Sequence, residues 1–249
     1  MIKIIDLYKS FNGQKVLEGV NLTISNKEVV TIMGKSGGGK SVLIKHIIGL
    51  LMPDKGSILI DGVDITRLDQ KELDKIREKL GVLFQGGALF DSLTVYGNVA
   101  FPLKEKTKLN KKEIRERVIQ ALEDVGLRGI GSKYPAELSG GMKKRVALAR
   151  ALITEPIIVL FDEPTTGLDP VITSSIHKLI RTTHEKYGYT GVIISHEVPE
   201  IFEITDKVAM LYNGVIVETG TPDEIKNSSN PAVRQFITGS LEGPIEFLS

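Results

Sequence analysis

Short apolar runs rich in β-branched residues alternate with helical patterns along most of the chain. These runs lie at Val29–Met33, Ser57–Ile60, Gly81–Phe84, Ile157–Phe161 and Val192–Ser195. Such an alternation of strand and helix predicts an α/β protein with a largely parallel sheet.

The first 25 residues follow a different pattern, since no helical segment separates their apolar runs. Ile2–Ile5, Lys15–Leu17 and Val20–Ile24 have the composition of short strands, and Asn12-Gly13 is a tight-turn sequence. We therefore expect an N-terminal antiparallel β layer.

The stretch 86–155 contains no convincing strand. Apolar residues recur at helical spacing within Lys111–Val125, and Val146–Ile153 has a wide apolar face. We interpret this region as a helical subdomain. The predicted organisation is a single domain of 249 residues, with a core at 1–85 and 156–225, the helical subdomain at 86–155 and a C-terminal extension at 226–249.

The C-terminal region opens with a strand–turn–strand signal. Val208–Tyr212 and Val215–Glu218 flank an Asn-Gly turn, and Thr221-Pro222-Asp223-Glu224 has the capping-box pattern of a helix start. Ala232–Ile237 then predicts a short helix. The last run, Ile245–Leu248, is either a frayed chain end or an apolar segment that binds a partner surface, and we favour the partner.

Composition excludes several classes of function. The chain is 41% hydrophobic, which argues against disorder, and it contains no cysteine, which excludes disulfides, thiol catalysis and Cys-ligated zinc. Lys and Arg number 32 against 31 Asp and Glu, so no nucleic-acid partner is expected. The longest apolar candidate for a membrane span, Val42–Met52, is short and carries Lys45 and His46, and the N-terminus lacks a signal-peptide pattern. We expect the protein to stay in the compartment where it is made.

Gly34–Ser41 fits the phosphate-loop pattern G-x-x-x-x-G-K-[ST] at every position, directly after a predicted strand and before a predicted helix. Glycines let backbone N–H groups surround phosphate oxygens, and the helix N-terminus adds positive potential. Lys40 can reach the β- and γ-phosphates, and the Ser41 hydroxyl can bind Mg²⁺. The alternative is a glycine-rich turn that only joins strand to helix.

Two acidic residues, Asp162 and Glu163, follow the buried apolar run Ile157–Phe161. By themselves they are consistent with a chain that simply leaves the core. Beside a phosphate loop, however, Asp162 can hold Mg²⁺ through a water, and Glu163 can act as a general base on an attacking water.

Further motifs give this chain a close resemblance to the ATP-binding cassette (ABC) ATPase family. They are Phe84-Gln85, Leu138-Ser139-Gly140-Gly141-Met142, Asp162-Glu163-Pro164, Gly167-Leu168-Asp169-Pro170 and Ile194-Ser195-His196-Glu197. The resemblance covers residues 2 to about 225. It implies a P-loop NTPase fold, with a RecA-like parallel-sheet core, the antiparallel β layer and the helical subdomain, and it implies ATP and Mg²⁺ as cofactors.

The resemblance also assigns roles to individual residues. Glu163 matches the catalytic glutamate, Gln85 the Q-loop glutamine and His196 the switch histidine, and the metal ligands would be Ser41, Gln85 and Asp162. Phe11 falls where an aromatic ring stacks on adenine, with core packing as the alternative. The nucleotide-binding residues that it implies are Phe11, Val16, Gly34, Ser36, Gly37, Gly38, Gly39, Lys40, Ser41, Val42, Ser139, Gly140, Gly141 and Asp169.

The resemblance further implies that the protein works as a homodimer. Ser139 can cap the helix that follows it, and in the family this helix end faces the ATP held by the opposite subunit. Two chains would then enclose two ATP molecules head to tail. Met142 departs from the family's frequent glutamine, so a side-chain contact at that position is not expected.

Less specific residues resemble the MlaF-type ATPases, which drive lipid transport with a separate membrane permease, an MCE-type substrate-binding protein and an accessory protein. They are the runs Met142–Ala147, Gln85–Phe90 and Gly243–Phe247. The basic cluster Lys143-Lys144-Arg145 within the first run is equally consistent with a solvated helix face. The resemblance implies a peripheral location on the cytoplasmic side of the inner membrane. The alternative function is a soluble ABC ATPase outside any transporter, such as one of iron–sulfur assembly.

Overall fold

The computed structural model describes residues 1–246, and ten β-strands and eight α-helices lie in that range. The strands are β1 (Ile2–Phe11), β2 (Gln14–Ile24), β3 (Val29–Met33), β4 (Lys55–Ile60), β5 (Val63–Asp64), β6 (Leu80–Leu83), β7 (Ile158–Asp162), β8 (Thr190–Ser195), β9 (Lys207–Tyr212) and β10 (Val215–Gly220). The helices are α1 (Lys40–Ile47), α2 (Gln70–Arg77), α3 (Val95–Lys106), α4 (Lys111–Asp124), α5 (Gly140–Leu152), α6 (Pro170–Tyr187), α7 (Pro222–Lys226) and α8 (Pro231–Thr238). In the described range, no helix combines the length and the apolar character that a membrane crossing requires.

The chain folds into two compact units. The first unit comprises residues 1–77 and 190–249, and the second unit comprises residues 78–189. The division predicted from the sequence, with boundaries at 85/86, 155/156 and 225/226, stays a prediction.

The N-terminal layer of the first unit is antiparallel, with the strand order β2-β1-β4-β5. The sequence predicted three short strands in this layer before residue 25, whereas the structure has two long ones, β1 and β2. Bulges keep these two strands paired where the apolar pattern is interrupted. Asn12 and Gly13 have φ angles of 49° and 82°, which confirms the predicted turn. Ser57–Ile60, predicted among the parallel strands, lies in this layer instead, where Ile60 pairs antiparallel with Ile2.

The parallel strands of the first unit carry the phosphate loop. β3 pairs in parallel with β8 on one side and with β9 on the other, and all five of its residues are buried. β10 completes the antiparallel hairpin that the Asn-Gly turn predicted. Because β3 is a central strand, the loop that leaves its carboxyl end starts from a fixed position.

The second unit contains a parallel pair, β6 and β7, together with four helices. Between residues 86 and 155 the regular elements are all helical, as predicted. α4 begins with a capping box in which Asn110 and Glu113 each satisfy the other's backbone N–H. α5 starts at Gly140 and Ser139 caps it, as the sequence predicted, and the wide apolar face predicted from Val146 onward lies on this same helix.

The C-terminal segment packs against its own chain. The side-chain amide of Gln235 on α8, 4% exposed, accepts a hydrogen bond from the Ile245 backbone N–H at 2.6 Å and donates to the Ile245 carbonyl at 3.0 Å. The Tyr212 hydroxyl donates to the Pro244 carbonyl at 2.6 Å. A frayed end is therefore wrong for Pro244 and Ile245. The favoured partner-binding role of Ile245–Leu248 stays a prediction, and Phe247 and Leu248 lie outside the described residues.

We predict that deleting residues 243–249 destabilises the folded chain, because the buried Gln235 amide would lose both bonds to Ile245. Water can solvate the uncovered amide, so each lost hydrogen bond is expected to cost about 0.5–1.5 kcal/mol net. The loss is measured as a lower Tm and a lower midpoint of urea unfolding. Leu241→Ala, at a side chain of the same segment that is 80% exposed, is the control and should change neither value. Wild-type stability of the truncated chain would show that the Gln235–Ile245 contact contributes nothing.

Candidate functional site

The phosphate loop of the first unit joins the end of β3 to the start of α1, and glycine is required in it for steric reasons. Gly34 has a φ of 154°, and a Cβ there would lie 2.3 Å from the carbonyl oxygen of Leu211. A Cβ on Gly39, whose φ is 96°, would lie 3.1 Å from both Cγ1 and the carbonyl oxygen of Val16. The loop therefore fits closely between β2 and β9: a side chain at Gly34 would overlap the Leu211 carbonyl, and one at Gly39 would need both a strained φ and a shift of Val16.

The loop encloses the ammonium group of Lys40, the first residue of α1. This side chain is 4% exposed, and its Nζ donates to the carbonyl oxygens of Gly34 at 2.7 Å and Lys35 at 2.9 Å. The N-terminus of α1 has Gly39 as its cap, without a capping side chain. The positive end of a helix dipole, next to a held positive charge, forms an environment that favours an anion.

Other residues predicted to bind nucleotide lie around this loop in the first unit. Ser41 and Val42 are half-buried on the first turn of α1, whereas Ser36 and Gly37 are exposed. Phe11 ends β1 with 40% of its surface exposed, and the Lys9 ammonium lies 5.5 Å from the centre of its ring. Core packing of Phe11 is therefore wrong, and its stacking on a base stays a prediction.

The acidic residues of the second unit stand where β7 ends. Asp162 is the last residue of the strand, and Glu163 follows it with a φ of 48°. The left-handed conformation costs a non-glycine residue about 1–2 kcal/mol, so the surrounding contacts must hold it. The Glu163 Oε2 atom accepts hydrogen bonds from Gln85 Nε2 at 2.9 Å and from the Thr166 hydroxyl at 3.0 Å. The structure thus brings together Gln85 and Glu163, which the sequence indicated as separate motifs.

Two basic residues of α5 bind backbone carbonyls beside these groups, and neither role was predicted from the sequence. Lys144, 7% exposed, donates to the carbonyl oxygens of Gln85 and Glu163. Arg150 donates to the carbonyls of Gly87 and Ala88, both at 2.7 Å, and burial lowers the pKa of its guanidinium. The solvated-face interpretation of the basic cluster is wrong for Lys144. Its signal was available, because Lys144 shares one helix face with the buried residues Gly141, Leu148 and Ala151.

The predicted signature lies at the start of α5. The Ser139 side chain caps the helix, accepting from the Met142 N–H at 3.3 Å, and Ser139 and Gly140 are exposed. Gly141 is buried, and a Cβ there would lie 2.7 Å from Cγ2 of Ile172. The exposed N-terminus of α5 is therefore a second place that suits an anion.

The two remaining predicted residues lie at the ends of elements. Asp169 caps α6, accepting from the N–H groups of Val171 at 3.1 Å and Ile172 at 3.0 Å, so it has a structural part independent of any nucleotide. His196 follows β8 in the first unit and is exposed.

Comparison with known proteins gives consistent matches. A family model described as "ABC transporter" matches residues 17–166. The "Probable ribonucleotide transport ATP-binding protein mkl" of Mycobacterium leprae is 46% identical over 98% of this chain and 70% of its own length. The "Intermembrane phospholipid transport system ATP-binding protein MlaF" of Haemophilus influenzae is 40% identical over 99% of this chain and 94% of its own length. A solved dimeric ATP-binding cassette in a post-hydrolysis state with ADP and Pi is 33% identical, with a TM-score of 0.82 over 89% of this chain and 99% of that one.

We predict that Lys40→Ala weakens ATP binding by roughly 10- to 100-fold, since hydrogen bonds to charged groups contribute about 1.5–3 kcal/mol. Titration calorimetry with ATP and Mg²⁺ measures the change. Lys45→Ala, an exposed lysine on the same helix, is the control and should bind as the wild type does. An unchanged ATP affinity in Lys40→Ala would contradict the phosphate-binding role.

Proposed function

Because the chain belongs to the ABC transporter family, we propose that it is the ATP-hydrolysing subunit of a phospholipid transporter whose permease is formed by separate chains. The observation that carries the nucleotide part is the complete phosphate loop with the Lys40 ammonium held between the Gly34 and Lys35 carbonyls. The lipid part rests on the similarity to MlaF, which extends over nearly the full length of both proteins. The soluble alternative, with no transporter, has no support among these relatives.

In this proposal the first unit binds the triphosphate. The N–H groups of Gly37, Gly38 and Gly39 and of the first turn of α1 surround the phosphate oxygens, and Lys40 neutralises charge on the β- and γ-phosphates. Phe11 and Val16 provide apolar surface for the base and the ribose. His196 acts as a sensor of the γ-phosphate.

Mg²⁺ is the metal that fits the proposed ligands. The Ser41 hydroxyl, the Gln85 amide and the Asp162 carboxylate are hard oxygen donors, and few protein ligands are needed because substrate phosphates complete the coordination. When bound, the ion would neutralise charge that develops on the phosphates. These three residues would hold it.

Glu163 is the proposed general base. Its carboxylate accepts the proton of the attacking water as the bond from that water to the γ-phosphorus forms and the bond to the leaving ADP breaks. The hydrogen bonds from Gln85 and Thr166 restrict the rotamer of Glu163. A fixed base needs less reorganisation when the water attacks.

We propose that each active site is completed by a second copy of the chain. Ser139, Gly140 and Gly141 would place the N-terminus of α5 against the ATP bound by the partner, and Asp169 would lie at the same junction. The exposed cap at Ser139 and the dimeric state of the solved cassette support this arrangement.

The proposed partners follow from the MlaF similarity. They are transmembrane permease subunits, an MCE-type substrate-binding protein and an accessory protein, with this chain on the cytoplasmic face of the inner membrane. No nucleic acid is proposed as a partner. The mycobacterial relative is named for ribonucleotides, so the cargo needs a direct test.

Affinity purification of the full chain from membranes in mild detergent, with mass spectrometry of proteins and lipids, tests the transport part. The proposal expects a multispan permease and enriched phospholipid. Recovery of a permease with ribonucleotides and no phospholipid would contradict the lipid cargo. Recovery of iron–sulfur assembly proteins would contradict the transport class.

We predict that Glu163→Gln nearly abolishes ATP hydrolysis and leaves ATP affinity within about two-fold of the wild type, because the base is lost while the phosphate and metal ligands remain. Phosphate release and calorimetry measure the two quantities. Glu116→Gln, an exposed residue on α4, should match the wild type. Near-wild-type turnover in Glu163→Gln would show that another group is the base.

A mixture of two inactive variants tests the composite site. Ser139→Arg should stop hydrolysis while the variant still binds ATP, and we choose it over Gly141→Asp because Gly141 contacts Ile172. Mixed with Lys40→Ala, it should recover part of the wild-type turnover, since one site in the mixed dimer has two intact halves. If mixed dimers are present by sedimentation and remain inactive, the partner-completed site is contradicted.

A further inference from the structure

Lys144 is a charged residue that the fold buries beside the proposed base. It lies on the inner face of α5, in the second unit, with 7% of its surface exposed. Burying an ammonium group is unfavourable unless hydrogen-bond acceptors replace its water. The acceptors that it meets include two carbonyl oxygens, those of Gln85 and Glu163.

The two carbonyls belong to the residues whose side chains the proposed chemistry uses. Gln85 follows β6 and Glu163 follows β7, and these strands are parallel neighbours. The side chains of Gln85 and Glu163 are also joined, at 2.9 Å. The Lys144 ammonium therefore binds the backbone carbonyls of the same two residues, Gln85 and Glu163, whose side chains are hydrogen-bonded to each other.

The backbone of Glu163 needs such a contact. Its φ of 48° is an unfavourable angle for a residue with a Cβ and persists only where neighbouring groups hold it. Lys144 donates to the carbonyl of this residue at 3.4 Å. The Thr166 backbone N–H donates to the same carbonyl, also at 3.4 Å, so loss of Lys144 removes one of two donors. The turn after β7 is then held less firmly, and the Glu163 carboxylate is held less firmly in the position where Gln85 and Thr166 bind it.

We propose that Lys144 is a positioning residue for hydrolysis, which holds Glu163 and Gln85 in register and links them to the helix that begins at Ser139. It acts through these two residues and contacts no nucleotide. The inference rests on the proposed function, because it takes Glu163 as the base. It assigns to the signature helix a second task, which is to set the geometry of the base on its own chain.

The neighbouring basic residues show why Lys144 is distinct. Arg145 donates to the Val125 carbonyl at 2.8 Å and to the Ser175 hydroxyl at 2.6 Å, so it joins α5 to α4 and α6. Lys143 is half-buried and has no recorded contact with either strand end among the described residues. Lys143 is therefore the matched control.

The experiment compares Lys144→Met, Lys144→Arg and Lys143→Met in the full chain. Lys144→Met keeps an unbranched side chain without the charge, and we expect kcat to fall roughly 10- to 100-fold, as small misplacements of catalytic groups do, with KM for ATP within about two-fold. Lys144→Arg should recover most of kcat because it can donate to the same carbonyls. Lys143→Met should match the wild type.

Hydrogen exchange gives a readout that does not depend on activity. In Lys144→Met the amides around residues 85 and 163 should exchange faster, while those of the phosphate loop exchange as in the wild type. Tm should fall by only a few degrees, because two carbonyls lose a donor while the apolar core is unchanged. Lys144→Met with unchanged kcat and unchanged exchange at these amides would overturn the inference. A fall in kcat that Lys144→Arg does not rescue, together with a large fall in Tm, would show a merely structural lysine.

Glu163→Gln in the same series separates this inference from the proposed function. If Lys144 acts through Glu163, adding Lys144→Met to Glu163→Gln should change the residual turnover by less than about two-fold. Active Glu163→Gln would refute the proposed base, whatever Lys144 does. Inactive Glu163→Gln beside fully active Lys144→Met would refute the role of Lys144 alone.

Discussion

The close approach of the phosphate loop to two neighbouring strands is the constraint on which the first unit depends. Backbone N–H groups can surround an anion only where no Cβ stands in the way, and the carbonyl of Leu211 fills the space that a side chain at Gly34 would need. β3 is central and fully buried, so the loop starts from a rigid position. The Lys40 ammonium then occupies the loop and offers a positive charge where the phosphates are proposed to bind.

In the second unit, two cations of α5 bind backbone carbonyls near the ends of β6 and β7. After β6 and β7 the backbone carbonyl oxygens no longer have partners within the sheet. Side chains of α5 donate hydrogen bonds to them instead. Lys144 and Arg150 together bind four such carbonyls. Hydrogen bonds to charged groups are strong in a partly buried setting. One helix therefore supports both the proposed base and the loop that follows Gln85.

Much of this architecture was predictable because its signals are local. The phosphate loop, the Asn-Gly turns and the capping box at Thr221 depend on residues close together in the chain, and the structure has the turns and the cap where the sequence predicted them. The predicted cassette fold is confirmed by the solved cassette with a TM-score of 0.82.

What the sequence could not supply depends on long-range packing. The pairing of β4 with β1 decides that Ser57–Ile60 is antiparallel, and no local pattern carries that information. The hydrogen bond between Gln235 and Ile245 could not be predicted from the sequence, because it forms only when the C-terminal segment folds back onto α8. The burial of Lys144 was only partly predictable, because its helical spacing places it on the buried face of α5 whereas its charge favours exposure to solvent.

We propose that ATP hydrolysis by this chain drives phospholipid movement. The most direct test reconstitutes the complex purified from membranes into liposomes and follows labelled phospholipid and released phosphate together. Both should proceed with ATP and Mg²⁺, and both should stop with a non-hydrolysable ATP analogue. Lipid movement at the full rate with that analogue, or phosphate release with no lipid movement, would contradict it.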